Sequence, residues 1–108
     1  MEYARGKDID VIICDHHLPE NELPAAVAVL DPKREDCNYP FDDLCGAGVS
    51  LKLVQAMESL EVAQKYFDIC AIATVADIVS LTDENRIIVH NGLKMLNEGR
   101  VYLFSRTN

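Results

Sequence analysis

Two short apolar runs stand near the start of the chain. Residues 9–14, IDVIIC, are rich in β-branched side chains, and residues 25–30, AAVAVL, repeat the pattern after Pro24. Apolar runs of this length without polar alternation are typical of strands buried on both faces of a parallel sheet. The polar connection LPENELP is short for a parallel crossover, which argues against the two strands being direct neighbours.

The rest of the chain shows helical spacing. Residues 48–60 place apolar side chains on one stripe, which predicts an amphipathic helix. Residues 62–81 predict a second helix, which is buried because it is almost wholly apolar from Ile69. Thr82 is a candidate N-cap for a third helix that runs to about Asn97, with Gly99 as its stop. The predicted class is α/β, with two short buried strands and about three helices.

Residues 31–46 have neither a helical nor a strand period, and long irregular connections of this kind tend to be functional. The small residues of the CGAG segment, 45–48, precede a helix, where an anion can approach free backbone amides. The alternative is that two glycines only supply backbone freedom. Lys33 and Arg34 could contact phosphates, but the acidic residues that follow favour a solvated loop of mixed charge.

Composition and charge narrow the class of protein. The chain has 108 residues, of which 49% are hydrophobic, and this predicts one globular domain with one core. Ten basic residues stand against 18 acidic ones, giving a net charge of −8. The chain as a whole therefore cannot attract nucleic acid or an anionic membrane, and any anionic substrate must be held locally by metal ions or placed donors.

The sequence also indicates a compartment. No apolar stretch is long enough for a transmembrane helix, and the first residues lack the apolar core of a signal peptide, so we expect no membrane contact and a cytoplasmic protein. The four cysteines form no CxxC pair that would indicate a zinc ribbon or a redox motif. We expect reduced thiols, at least two of them in the core.

Asp15, His16 and His17 follow directly after the first predicted strand. Ligands of open α/β sheets bind beyond the carboxyl ends of strands. Adjacent side chains of an extended backbone point in different directions, so one imidazole could bind a metal while the other faces another part of the site. The alternative is that both histidines are polar residues of a turn.

Asp77 is the second anomaly, because it lies in the apolar stretch from residue 69 to residue 81. A carboxylate there must be paired, hydrogen-bonded, metal-bound or neutral. The alternatives are an aspartate that caps a neighbouring loop and a helix break near Asp77 that exposes it. Since an imidazole at a strand end also needs a polar partner, we expect His16 and Asp77 to approach each other. His90 is most simply a surface residue of the last helix.

Three stretches together carry a family resemblance: IDVIICDHH, the loop DPKREDCNYPFDDLCGAGVSLKL, and ATVADIVSLTDENRIIVHNGL. They resemble the RecJ single-strand DNA exonucleases of the DHH phosphoesterase superfamily from about Ile9 to Asn97. The DHH triplet alone is shared with family II pyrophosphatases and with oligonucleotide and cyclic-dinucleotide phosphodiesterases. The other two stretches are what make the chain resemble RecJ in particular.

The resemblance implies a two-metal phosphodiesterase that uses Mn²⁺ or Mg²⁺ to degrade single-stranded DNA from the 5′ end, in DNA repair and recombination. On that pattern His16 and Asp77 bind metal, His17 faces the scissile phosphate, and Asp15 is a supporting residue behind them. The metals would polarise the phosphoryl oxygens and lower the pKa of an attacking water.

The chain also departs from that pattern. Family members carry, further upstream of the DHH strand, a DxD-type motif and an aspartate that bridges the metals, and that region would precede Met1 of this chain. We therefore expect residues 1–97 to be a partial catalytic domain, inactive alone, and residues 98–108 to be a tail or a truncation boundary. The alternatives are a small-substrate phosphodiesterase or pyrophosphatase of the same superfamily, and a non-catalytic α/β interaction module.

Overall fold

The computed structural model of the protein describes residues 1–99. A short helix and two strands come first, and four helices follow them, which confirms the α/β class. In chain order they are α1 (Glu2–Gly6), β1 (Ile12–Cys14), β2 (Ala28–Leu30), α2 (Gly46–Met57), α3 (Leu60–Gln64), α4 (Phe67–Ala76) and α5 (Asp83–Asn97).

The two strands form a parallel pair, with Ile12 opposite Ala28 and Cys14 opposite Leu30. They are direct neighbours, so the expectation from the short connection is wrong. Each strand is only three residues long, which leaves the whole of residues 15–27 for the crossover. A parallel crossover needs about a dozen residues, and this segment supplies them without a helix.

The strands are less buried than the apolar runs predict. Ile12 is 50% exposed and Val27 is 66% exposed. Cys14 and Leu30 pack against the core, whereas within residues 1–99 no third strand pairs with either strand. Burial on both faces is therefore a wrong prediction for the part of the chain that the structure describes.

The helical half is divided more finely than the spacing predicts. The single helix expected over residues 62–81 is two helices, α3 and α4, which are separated at Lys65 and Tyr66. Together with α1, this makes five helices in the described residues instead of about three. Ser59 explains the start of α3, because its hydroxyl accepts a hydrogen bond from the Val62 amide.

The apolar helix α4 is buried on one face only. Phe67, Cys70, Ala71 and Thr74 are buried, whereas Ile72 and Val75 on the opposite face are exposed. The prediction of a helix buried all round is therefore wrong in this respect.

The last helix, α5, agrees with its prediction. Thr82 is its N-cap residue, although the Thr82 hydroxyl pairs with Ser80 and caps no amide. Gly99 adopts the left-handed φ of +70° that ends helices, as its role of stop requires. The predicted tail, residues 98–108, lies outside the described residues except for its first two.

One core joins the loop before α2 to the helices. Its fully buried apolar residues come from that loop and from all four helices of the second half: Leu44, Val49, Leu51, Ala63, Phe67, Cys70 and Ile88. All four cysteines are free thiols, and Cys45 and Cys70 are buried, as predicted. No helix within residues 1–99 is both long enough and apolar enough to span a membrane.

The closest helix packing is between α4 and α5 at Gly92. A Cβ atom added to Gly92 would lie 2.4 Å from the Ala71 Cβ and 2.4 Å from the Phe67 carbonyl oxygen. Because the second of these atoms belongs to the backbone, no side-chain rotation relieves the clash. Gly92 therefore lets the two helix backbones approach each other.

Replacing Gly92 by alanine should push α5 away from α4 and lower the free energy of unfolding by about 1–3 kcal/mol, as overpacking of a core does. Urea-induced unfolding followed by circular dichroism measures the loss. Gly6→Ala is the matched control, since nothing lies within 4 Å of the added atom and no loss is expected. Equal stability of the two variants would contradict the close packing.

Candidate functional site

The site is built at the carboxyl end of β1, where the chain turns on Asp15. The Asp15 Oδ1 atom accepts hydrogen bonds from the backbone amides of His16 at 2.7 Å and His17 at 3.3 Å, and lies 2.6 Å from His17 Nδ1. An aspartate whose carboxylate accepts hydrogen bonds from the backbone amides of the next two residues is typical of an Asx turn. Asp15 thus ends the strand and orients both histidines.

The electrostatics of Asp15 follow from these contacts. Partial burial opposes ionisation, but the hydrogen bonds from the His17 ring and from the two amides outweigh it and hold the pKa of Asp15 below its usual value. Asp15 is therefore a carboxylate throughout the neutral range, and it keeps the Nδ1 atom of His17 in the role of donor.

His16 and Asp77 meet across the molecule, as the sequence predicts. The His16 Nε2 atom lies 3.0 Å from the Asp77 Oδ2 atom, and the His16 side chain is only 16% exposed. Asp77 is both paired and exposed at a helix end. It is the C-cap of α4, and its side chain is 42% exposed although it pairs with His16. The helix end brings the carboxylate to the strand end.

The two imidazoles lie side by side. Their ring centroids are 4.2 Å apart, with the ring planes inclined by 41°. The turn at Asp15 replaces the extended backbone that the expectation assumed, and the two rings lie close together while facing different surroundings. His16 faces Asp77, whereas the His17 side chain is 75% exposed and presents its Nε2 atom away from the Asp15 contact.

The first turn of α2 forms a wall beside His16. A Cβ atom added to Gly46 would lie 3.7 Å from the His16 Cδ2 atom, which is ordinary van der Waals contact. The Cys45 thiol lies buried at the start of this turn, 3.5 Å from the Thr74 hydroxyl. Hydrogen bonding with Cys70, with Thr74 and with the amides of Gly48 and Ala47 lowers the pKa of Cys45 against the effect of its burial.

The remaining sequence candidates lie apart from His16. Arg34 donates to both carboxylate oxygens of Asp36 and to the Val29 carbonyl, so it stabilises the loop beside β2. This agrees with the loop of mixed charge. His90 is exposed on α5, as expected of a surface residue.

Sequence reasoning missed two residues at the start of α5. Glu84 pairs with Lys52 of α2 and accepts a hydrogen bond of 2.5 Å from the Tyr39 hydroxyl. The next residue, Asn85, is fully buried and donates to the carbonyls of Asp43 and Ser80. Their signal was the polar run LTDENR, which indicated a helix start and a family resemblance but no contact of either side chain.

The donor set fits a divalent metal ion. One ligand atom from each of Asp15, His16 and His17 lies within 4.8 Å of the others, and Asp77 joins them through His16. Imidazole nitrogens and carboxylate oxygens are ligands of Mn²⁺, and carboxylates are ligands of Mg²⁺. These residues could therefore hold a metal, by exchanging the direct contacts between them for contacts to the ion.

Comparison with known proteins identifies the family. The model of the DHH family, N-terminal domain, matches residues 1–74. The chain belongs to the DHH family. Its match ends before Asp77, so the family model covers the DHH turn and α2 but not the aspartate that pairs with His16. No solved structure gives a significant match to the chain.

Curated relatives of this DHH domain include proteins named single-stranded-DNA-specific exonuclease RecJ. The Bacillus subtilis protein is 46% identical over 93 residues, which are 86% of this chain and 12% of the relative. The Escherichia coli protein is 37% identical over 114 residues, which are 93% of this chain and 20% of the relative. The DHH domain thus spans a fifth or less of the length of these two relatives.

The contact between Asp15 and His17 predicts a tautomer. Neutral His17 should carry its proton on Nδ1, because the Asp15 carboxylate accepts only a donor at 2.6 Å. Nitrogen-15 chemical shifts of the imidazole, recorded at alkaline pH where imidazoles are neutral, measure this. In Asp15→Ala the preference should be lost, whereas His90, which is distant from Asp15, should keep its tautomer in both proteins. A predominant Nε2 proton on His17 in the unmodified protein would contradict the geometry.

Proposed function

We propose that this DHH domain supplies part of the catalytic site of a metal-dependent exonuclease, which degrades single-stranded DNA from its 5′ end in DNA repair and recombination. The observation that carries the proposal is the approach of Asp77 to His16 beside the Asp15–His17 turn. The names of the relatives support the substrate, and the motifs that resemble RecJ support the direction. Four cysteines without a disulfide agree with a reducing compartment, the cytoplasm.

The metal is Mn²⁺ or Mg²⁺, and His16 and Asp77 are its ligands in this domain. When bound, such ions polarise phosphoryl oxygens and lower the pKa of a water that attacks in line. The imidazole nitrogen of His16 favours Mn²⁺ over Mg²⁺, which prefers oxygen ligands. The domain needs such a cation for a second reason, since its own charge of −8 repels DNA.

Asp15 and His17 act on the substrate side. Asp15 is the supporting residue, because its Oδ1 atom holds the turn and receives the His17 Nδ1 donor. His17 then directs Nε2 into solvent, and in its protonated form this nitrogen donates a hydrogen bond to an oxygen of the scissile phosphate. The exposure of His17, in contrast to the burial of His16, is the reason for giving these two residues different roles.

A small phosphate ester or pyrophosphate is the second candidate substrate. The observation that favours it is the strongly acidic charge of the domain, because each phosphate of an extended polyanion adds repulsion. A substrate with only one or two phosphates is repelled less, because it brings fewer charges close to the domain. Activity assays therefore include pyrophosphate and a dinucleotide beside single-stranded DNA.

In the full-length protein, Asp77→Asn should lower kcat/KM for single-stranded DNA by at least about 100-fold at limiting Mn²⁺, since losing even a residue behind a ligand costs 10–100-fold. His16→Ala should do the same. The asparagine keeps the shape of the side chain, so circular dichroism and melting temperature should change little. Release of nucleotides from a 5′-labelled strand measures the activity.

Two surface variants serve as controls for these substitutions. Asp10→Asn removes an exposed carboxylate before the opposite end of β1, and His90→Ala removes an exposed imidazole of α5. Both should digest DNA at the normal rate. Near-normal turnover of Asp77→Asn at limiting Mn²⁺ would refute the metal role, and hydrolysis of pyrophosphate alone would favour the second candidate. Absence of all metal-dependent hydrolysis in the unmodified protein would favour a non-catalytic interaction module.

The 108-residue chain by itself should not digest single-stranded DNA in the presence of Mn²⁺ or Mg²⁺. Around His16, the described residues offer only a few candidate ligands, whereas two hard divalent cations take about six ligands each. The test is digestion of a labelled single strand at high concentration of the chain. Robust digestion that His16→Ala abolishes would show that the described residues complete the site.

A further inference from the structure

Asn85 lies in the core beside the site without belonging to it. Its side chain is 0% exposed, although it is a polar amide at the start of α5. The Nδ2 atom donates two hydrogen bonds, one of 2.7 Å to the Asp43 carbonyl and one of 2.8 Å to the Ser80 carbonyl. A single buried carboxamide therefore joins α5 to two loops that are distant from each other in sequence.

Each of these loops leads into one wall of the site. Asp43 is two residues before Cys45, the N-cap of α2, and the adjacent Gly46 lies beside the His16 ring, where an added Cβ atom would contact it. Ser80 is three residues after Asp77, whose carboxylate lies 3.0 Å from His16. The amide of Asn85 thus ties the wall behind His16 to the segment that carries Asp77.

The two loops have few other polar restraints. Within residues 1–99, no backbone–backbone hydrogen bond involves residues 38–44 or 79–81. The segment after Asp77 also contains Ile78 at a φ of +53°, a left-handed conformation that a β-branched residue adopts only at a cost. A segment in this conformation persists when its surroundings hold it, and the bond from Asn85 to Ser80 does so.

Burying the Asn85 side chain also costs free energy of folding. Its Oδ1 atom is buried and has no hydrogen-bond partner among the described residues. An unsatisfied buried acceptor costs about 1–3 kcal/mol, so an asparagine here is a poor choice for stability alone. The asparagine supplies two donated hydrogen bonds, which an apolar residue at this position could not supply.

We propose that Asn85 is a positioning residue, which sets the placement of Asp77 relative to His16 and thereby the affinity of the site for its metal. The inference rests on the proposed function, because it assumes that His16 and Asp77 share a metal. Asn85 acts through the two loops and touches neither side chain in its described hydrogen bonds.

The test compares Asn85→Leu with Asn91→Ala in the full-length protein. Leucine has the same branched side-chain skeleton as asparagine, although a larger volume, and it has no donor, so both loops lose this tether. Asn91 is the control, because it lies on the same helix and its Nδ2 atom donates only to the Ile87 carbonyl one turn before it. Asn85→Ser, which keeps one donor, is the second variant in case the leucine variant does not fold.

The primary measurement is the equilibrium affinity for Mn²⁺ alone, from electron paramagnetic resonance of the free ion. Asn85→Leu should weaken binding about 10–100-fold, as the loss of a residue behind metal ligands does. Asn85→Ser should fall between it and the unmodified protein. In activity assays the Mn²⁺ concentration for half-maximal rate should rise in parallel, while the KM for DNA at saturating Mn²⁺ changes little.

A merely structural role gives a different result. In that case the melting temperature and the active fraction fall, but the folded fraction keeps its Mn²⁺ affinity. Affinity within twofold of the unmodified protein in either folded Asn85 variant, or an equal loss in Asn91→Ala, would overturn the inference. If the unmodified protein binds Mn²⁺ through His16 and Asp77, that result leaves the proposed function standing. If it binds no Mn²⁺, both fail.

Discussion

The close packing of α4 against α5 at Gly92 is the constraint on which the site depends. Because no side chain separates the two helices there, the position of α5 determines the position of α4, and Asp77 stands at the end of α4. Asp77 can then reach His16 at the end of β1, although 60 residues of chain lie between them. A site assembled from the end of a strand and the end of a helix needs a rigid body between them, and the helix pair is that body.

Side chains, more than backbone ladders, complete the site. The sheet contributes three residue pairs in the described chain, and the loops on either side of the site contain almost no regular hydrogen bonding. Asp15 gathers two amides and an imidazole on one carboxylate oxygen, and Asn85 gathers two carbonyls on one amide nitrogen. In both cases one buried or half-buried polar group fixes segments that backbone–backbone hydrogen bonds would otherwise have to fix.

The domain is acidic, so it can bind a polyanionic substrate only if cations lie between the domain and that substrate. The residues that could hold such cations are themselves the ones that the fold brings together, since Asp15, His16, His17 and Asp77 converge at one strand end. The basic residue Arg34 is occupied by Asp36 and a backbone carbonyl, and Lys52 is paired with Glu84. Under the proposed function, the local attraction for phosphate therefore comes from the metal site more than from these two side chains.

The sequence by itself determined the elements whose cause is local. The apolar runs before Asp15 and Asp31 place both strands, and the spacing after Thr82 places α5, because periodicity and β-branched content act over a few residues. The DHH turn and the anomaly of Asp77 were also visible, since a carboxylate in an apolar stretch needs a partner whatever the fold. Only the tertiary structure decided the rest. The pairing of the two strands and the bond from Asn85 to the Asp43 carbonyl each depend on groups distant in sequence. Such contacts follow from packing in three dimensions, and no local pattern of residues encodes them.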